Sequence, residues 1–140
     1  MDDAVVTLSV PADAAGVREA LAAFERFGRA QRISPATGWR VQLALDEMLS
    51  NIVRHGSPDG LDIDMTFSFE GGRVSVEIVD ATAPFNPLLA PPPDTVSPLE
   101  ARAPGGLGLA LVRRLMDETA YERRGDHNHF IMRCGPHADR

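Results

Sequence analysis

The chain has 140 residues, 44% of them hydrophobic and 24% charged, with a formal net charge of -6. Such a length and apolar content suit one compact domain over residues 1–140, and the acidic balance repels a phosphate backbone at long range, which argues against nucleic acid as a direct partner. No apolar run reaches the roughly 20 residues needed to span a bilayer, and Met1-Asp2-Asp3 lacks the basic region of a secretory signal, so a cytoplasmic protein with no membrane partner is expected.

Taken in order, Val5 to Val10 is β-rich, and Pro11-Ala12-Asp13 supplies a break and a cap before an Ala-rich helix from about Ala14 to Gln31 with Val17, Leu21, Phe24 and Phe27 as its apolar stripe. Ser34-Pro35 marks a second helix start, and Trp39, Leu43, Leu45, Met48, Leu49 and Ile52 carry that helix to His55-Gly56. Two alternating runs follow, Leu61 to Phe69 and Arg73 to Val79, separated by Glu70-Gly71-Gly72 as in a β-hairpin, with Asp80 at the end of the second strand. Residues 81–104 are proline-rich and aperiodic, which predicts a long loop of the kind that forms functional lids. Gly105-Gly106-Leu107-Gly108 then opens a helix through Leu111, Val112, Leu115 and Met116. Strands around Thr119 to Arg123 and His129 to Arg133 close the domain, and the tail from Gly135 is expected to fray.

Three segments carry side chains suited to chemistry. Glu47 and Asn51 are four apart, which puts a carboxylate and a carboxamide on one helical face; the amide oxygen suits Mg2+ and the carboxylate can take a proton from an attacking hydroxyl, although so common a spacing is by itself more often a solvated polar face. Asp80 at a strand end can accept a purine amino proton, or simply cap its own turn. The glycines of Gly105-Gly106-Leu107-Gly108-Leu109 let backbone N–H groups approach an anion where a helix begins, though a close packing turn has the same composition. There is no G-x-x-x-x-G-K-[ST], and the glycine turn is misplaced for a dinucleotide fold. The single Cys134 excludes an internal disulfide and a cysteine-based zinc cluster and reads as a small buried apolar side chain. His55 ends a helix, His127 and His129 lie in a turn and strand, and His137 is in the tail, so no metal-ligand spacing emerges among them.

The order of these segments resembles the bacterial anti-sigma factor serine/threonine kinases, small members of the gyrase, heat-shock chaperone, histidine kinase and mismatch-repair ATPase superfamily. Leu45-Asp46-Glu47-Met48-Leu49-Ser50-Asn51-Ile52-Val53-Arg54-His55-Gly56 is similar to the family's N box, Asp80 through Pro87 to its first glycine box, and Gly105 through Val112 to its second. The resemblance implies an α/β (α+β) two-layer sandwich, a mixed β-sheet with helices on one face, known as the Bergerat ATP-binding fold. It implies ATP and Mg2+ as cofactors, Glu47 as general base, Asn51 on the metal and Asp80 on the adenine amino group. By the same resemblance Gly105, Gly106, Leu107 and Gly108 hold the phosphates, and Arg102, in the lid, meets the terminal one.

One position departs from the pattern. The first glycine box normally reads D-x-G, whereas here it is Asp80-Ala81-Thr82, and a β-branched Thr does not readily take positive backbone angles, so Thr82 is expected to alter the approach to adenine. Asn128 lies where the resembled family often places a polar residue near the last strand, but in Gly125-Asp126-His127-Asn128 a turn residue is expected at least as much, and it is not counted in the predicted site. The family's partners are a STAS-type anti-sigma factor antagonist, which is phosphorylated on Ser, and a sigma factor; a homodimer is also common in it. The competing expectation is a non-catalytic partner-binding module with a degenerate nucleotide site.

Overall fold

The computed structural model describes residues 4–55, 60–89 and 106–137. Its elements are β1 (Ala4–Pro11), α1 (Ala14–Ala30), α2 (Pro35–Arg54), β2 (Asp62–Glu70), β3 (Arg73–Asp80), a 3-10 turn (Pro87–Leu89), α3 (Gly106–Leu115), β4 (Glu118–Arg124) and β5 (His127–Cys134).

The starts of α1 and α2 follow from their flanking residues. Asp13 Oδ1 accepts the Gly16 N–H at 2.7 Å, satisfying one of the amides that a helix N-terminus leaves over. Glycine is required at position 16, because a Cβ would lie 1.8 Å from the Pro11 carbonyl oxygen. Ser34 Oγ accepts the Thr37 N–H at 3.2 Å, with Pro35 in the first turn of α2. Along α2 the buried face is Val41, Ala44, Leu45, Met48, Leu49, Asn51 and Ile52. Trp39, expected on that stripe, is 61% exposed. At 3.6 residues per turn it stands roughly opposite Met48, nine positions on, and so points away from the sheet.

The five strands form one sheet in the order β1-β2-β3-β5-β4. Every pairing in it is antiparallel, so the expected mixed sheet is not what forms. Hairpins β2–β3 and β4–β5 are antiparallel by construction, and β5 then inserts between β3 and β4, running against both. Gly71 and Gly72 take φ of +60° and +81° in the two-residue turn between Glu70 and Arg73, the positive-φ pair that matches strand twist.

Burial alternates strictly along β3 and β5, with Val74, Val76, Ile78 and Asp80 on the helix side of β3 and Asn128, Phe130, Met132 and Cys134 on the helix side of β5. The three helices cover that side and share one apolar core with it. Phe24 meets Phe67 edge-on at 5.3 Å between ring centroids, tying α1 to β2.

Gly135 and His137, at the start of the expected frayed tail, are hydrogen-bonded to the body of the domain, while residues 138–140 lie outside the described residues. The Gly135 N–H donates to Asp117 Oδ2 at 2.7 Å, the His137 N–H donates to Thr37 Oγ1 at 3.2 Å, and the His137 carbonyl accepts from Ser34 Oγ at 2.9 Å. Partial burial opposes ionisation of Asp117, but the Gly135 N–H and the His137 ring outweigh it and hold its carboxyl below the usual range. Burial, with the Asp117 carboxylate beside it, pushes the Cys134 thiol up to about 11. Among the described residues no helix is long and apolar enough to cross a membrane.

Candidate functional site

Asp80 continues the core-facing register of Val74, Val76 and Ile78, which is why a carboxylate ends up only 6% exposed. A buried carboxylate needs donors. The hydrogen bonds that the described residues make to Asp80 all arrive at Oδ1: the Thr82 N–H at 3.0 Å, the Thr82 hydroxyl, and Asn128 Nδ2 at 3.1 Å. The first of these is the i to i+2 bond of an Asx turn, so Asp80 does cap its own turn while also facing a pocket.

Thr82 fits this turn without strain. Among the described residues Arg32 alone of the non-glycines has a positive φ, so Thr82 keeps an ordinary backbone where the family's D-x-G carries glycine. Its hydroxyl donates to Asp80 and accepts from Asn128 Nδ2 at 3.2 Å, and the residue is 9% exposed.

Asn128 is the residue that the sequence reading left out. It sits in β5 directly across from Asp80, not in the preceding turn, and is 3% exposed. The strand begins at His127, and the alternation Asn128, Phe130, Met132, Cys134 puts the amide on the core side. That phase was legible in the sequence had the strand been extended two residues. Asn128 Nδ2 also reaches the Ala83 carbonyl at 3.1 Å, while its Oδ1 accepts from Tyr121 Oη at 2.5 Å and from Arg123 Nη1 at 3.3 Å. Arg123 Nη1 in turn donates to the Thr82 carbonyl at 2.8 Å. One amide thus braces the strand end, the turn after it and the outer strand β4.

Asn51, Asp80, Thr82 and Asn128 line a single pocket of about 160 Å³ with Met48, Ile52 and Phe130 among its apolar walls. An apolar cavity of about 150 Å³ admits one small aromatic ring, so the space suits a ring system better than a whole nucleotide. His55, at the end of α2, also lines it, its ring 4.5 Å from that of Phe85. The Asn51 side chain is buried, at 3% exposed, and none of the described residues forms a hydrogen bond to its carboxamide.

Glu47 lies one helical turn before Asn51, half-buried, outside the pocket wall and without an ion-pair or hydrogen-bond partner among the described residues. Gly106, Leu107 and Gly108 form the start of α3, as the glycine-rich segment predicted, and α3 packs against α2. The first amides of a helix have no partner within it and favour an anion. Arg102 and Gly105, with most of the expected lid, lie outside the described residues.

Comparison with known proteins identifies the family. The family model of the histidine kinase-like ATPase domain matches residues 10–134. Serine/threonine-protein kinase BtrW of Bordetella bronchiseptica is 32% identical over 128 residues, which cover 90% of this chain and 90% of that protein. Two solved structures share the fold at low identity. The RsbU and RsbW domains of a Mycobacterium tuberculosis protein superpose with a TM-score of 0.66 at 15% identity, over 94% of this chain and 32% of that one. The SiaB-SiaC complex of Pseudomonas aeruginosa gives 0.60 at 16% identity, over 92% of this chain and 87% of that one. By its motifs, its fold and its match to BtrW, the chain belongs to the histidine kinase-like ATPase domain family.

Proposed function

We propose that the chain is a protein serine/threonine kinase of the anti-sigma factor type, a single domain over residues 1–140 that acts in the cytoplasm. It binds ATP with Mg2+, phosphorylates a STAS-type antagonist protein on a hydroxyl side chain and sequesters a sigma factor, so that phosphorylation state sets which partner is held and transcription follows; a homodimer is part of this reading. The observation that supports it best is the buried Asp80–Thr82–Asn128 cluster in a ring-sized pocket, beside an Asn51 carboxamide with no described partner.

The roles follow from the chemistry of the groups. Asp80 accepts an exocyclic amino proton of adenine, and its position is fixed by three donors on one oxygen. His55 and Phe85, in contact with each other, line one side of the ring's pocket, and Met48, Ile52 and Phe130 exclude water from it. The Asn51 oxygen is a hard donor suited to Mg2+, which when bound neutralises phosphate charge and keeps several of its own waters. Glu47, without an ion-pair partner among the described residues, accepts the proton of the attacking hydroxyl. Gly106 to Gly108 at the start of α3, with Gly105 before them, present amides to the phosphates, and Arg102 meets the terminal one.

Titration calorimetry with ATP and Mg2+ on the wild type, Asp80→Asn and Asn51→Ala tests the site before any partner is known. Binding by the wild type that weakens in both variants supports the kinase, and Glu47→Ala should then bind ATP yet fail to transfer phosphate. The substitution of Thr82 for glycine is what favours a second reading: no binding by the wild type would make the chain a nucleotide-independent partner module.

A further inference from the structure

Away from the pocket, three side chains of different chemistry meet at one corner of the sheet. Asp117 precedes β4, Cys134 ends β5 and His137 follows it; their separation in sequence hides what the β4–β5 ladder joins. The Asp117 N–H donates to the Arg133 carbonyl at 2.9 Å, which sets Asp117 beside the end of β5. A carboxylate oxygen of Asp117, the Cys134 sulfur and a ring nitrogen of His137 all lie within 4.8 Å of one another.

We propose that Asp117, Cys134 and His137 form a transition-metal site suited to Zn2+. One thiolate, one imidazole and one carboxylate make up a donor set that zinc takes in tetrahedral geometry, with a fourth position left for water. Bond lengths of about 2.0–2.3 Å place the ligand atoms of such a site roughly 3.5 Å apart, so the three donors need to close by only about an ångström. His137 Nε2 and Asp117 Oδ2 already stand 3.1 Å apart. Cys134 is 0% exposed and forms the floor, its Sγ making only a long 3.7 Å contact to the Leu115 carbonyl; Asp117 and His137 form the rim toward solvent.

The scaffold holds these groups whether or not a metal is bound. The main chain of His137 is fixed at both its N–H and its carbonyl by Thr37 and Ser34, and Thr37 is 1% exposed. The Gly135 N–H holds Asp117 from the other side. Metal binding at this corner would tie Asp117, just before β4, to the end of β5 and to His137 beyond it, and the thiol proton would pass to solvent. A sulfur and imidazole donor set selects against Mg2+, so this site is independent of the proposed ATP site in chemistry as well as position.

The test is titration of the full chain, chelator-treated and reduced, with Zn2+ alone and then with Co2+ alone, in the absence of nucleotide. The expected result is one equivalent per chain, a thiolate-to-cobalt charge-transfer band, and a thermal midpoint raised by Zn2+. His137→Ala and Asp117→Asn, both at the rim, should each weaken Zn2+ binding more than about a hundredfold, beyond what loss of an outer-shell partner brings. Cys134→Ser should remove the charge-transfer band; if that buried variant does not fold, the two rim variants decide. Wild-type cobalt spectra without a sulfur band, or Zn2+ binding unchanged in His137→Ala, would overturn the site.

Discussion

Asn128 and Asp80 face each other across the β3–β5 ladder with Nδ2 3.1 Å from Oδ1, both turned into the core where their strand neighbours are apolar. Neither is tolerable there alone. A buried carboxylate without donors, or a buried amide without acceptors, costs about 1–3 kcal/mol or more, so the pair and its satellites Thr82, Tyr121 and Arg123 stand or fall together.

Asn128→Ala removes one donor from Asp80 and strips Tyr121 Oη of its acceptor. Urea denaturation should show a loss of about 2–3 kcal/mol, and the affinity for Mg2+-ATP should fall along with it. An unchanged affinity would mean that Asp80 is oriented by Thr82 alone.

Thr82→Val keeps the shape and deletes the hydroxyl that bonds both Asp80 and Asn128. The expected cost is about 1–2 kcal/mol, because two buried partners lose a bond and water has little room to replace it. Thr82→Gly should also lose stability, since it adds backbone freedom and removes the same bonds; a stabilised glycine variant would show that Thr82 strains the turn.

Gly16→Ala puts a methyl group 1.8 Å from the Pro11 carbonyl oxygen. The contact is to backbone at the seam of β1 and α1, so no side-chain rotation relieves it, and a destabilisation of about 3–5 kcal/mol is expected from the urea midpoint. Gly28→Ala, with open space around its Cβ, is the matched control and should stabilise α1 by up to about 1 kcal/mol.

Trp39→Ala should change stability by less than about 0.5 kcal/mol, because the ring is 61% exposed on the outward face of α2. Emission from this single tryptophan should already be that of a solvated indole in the native protein, and a strongly blue-shifted native spectrum would place the ring elsewhere.

The elements were largely legible because their signals are local. Asp13 and Ser34 announce helix starts, Gly71-Gly72 announces a hairpin, and the alternation from Val74 to Ile78 announces a half-buried strand. What sequence could not settle was pairing across distance: the register that sets Asp80 against Asn128 joins positions that no local rule connects. Asn128 was hidden by a second effect, since Gly125-Asp126 marks the turn so strongly that the two residues after it read as part of it. Trp39 misled for the opposite reason, being apolar in kind yet out of phase with Val41, Leu45 and Met48. Asp117, Cys134 and His137 show no spacing rule because two strands and a turn bring them together.

The position of β5 between β3 and β4 has a bearing on how the chain reaches its native state. Until residues 127–134 are in place, β3 has a bare edge carrying Val74, Val76 and Ile78, and β4 has no neighbour to pair with. Such long-range closure is slow, because loop entropy is lost before the contacts reward it. Since Asn128 arrives on that same strand, the ring pocket is completed only by the step that seals the sheet. A ligand in it would then favour the fully zipped state over every partly formed one, so that nucleotide bound there, as proposed, would act as a folding ligand.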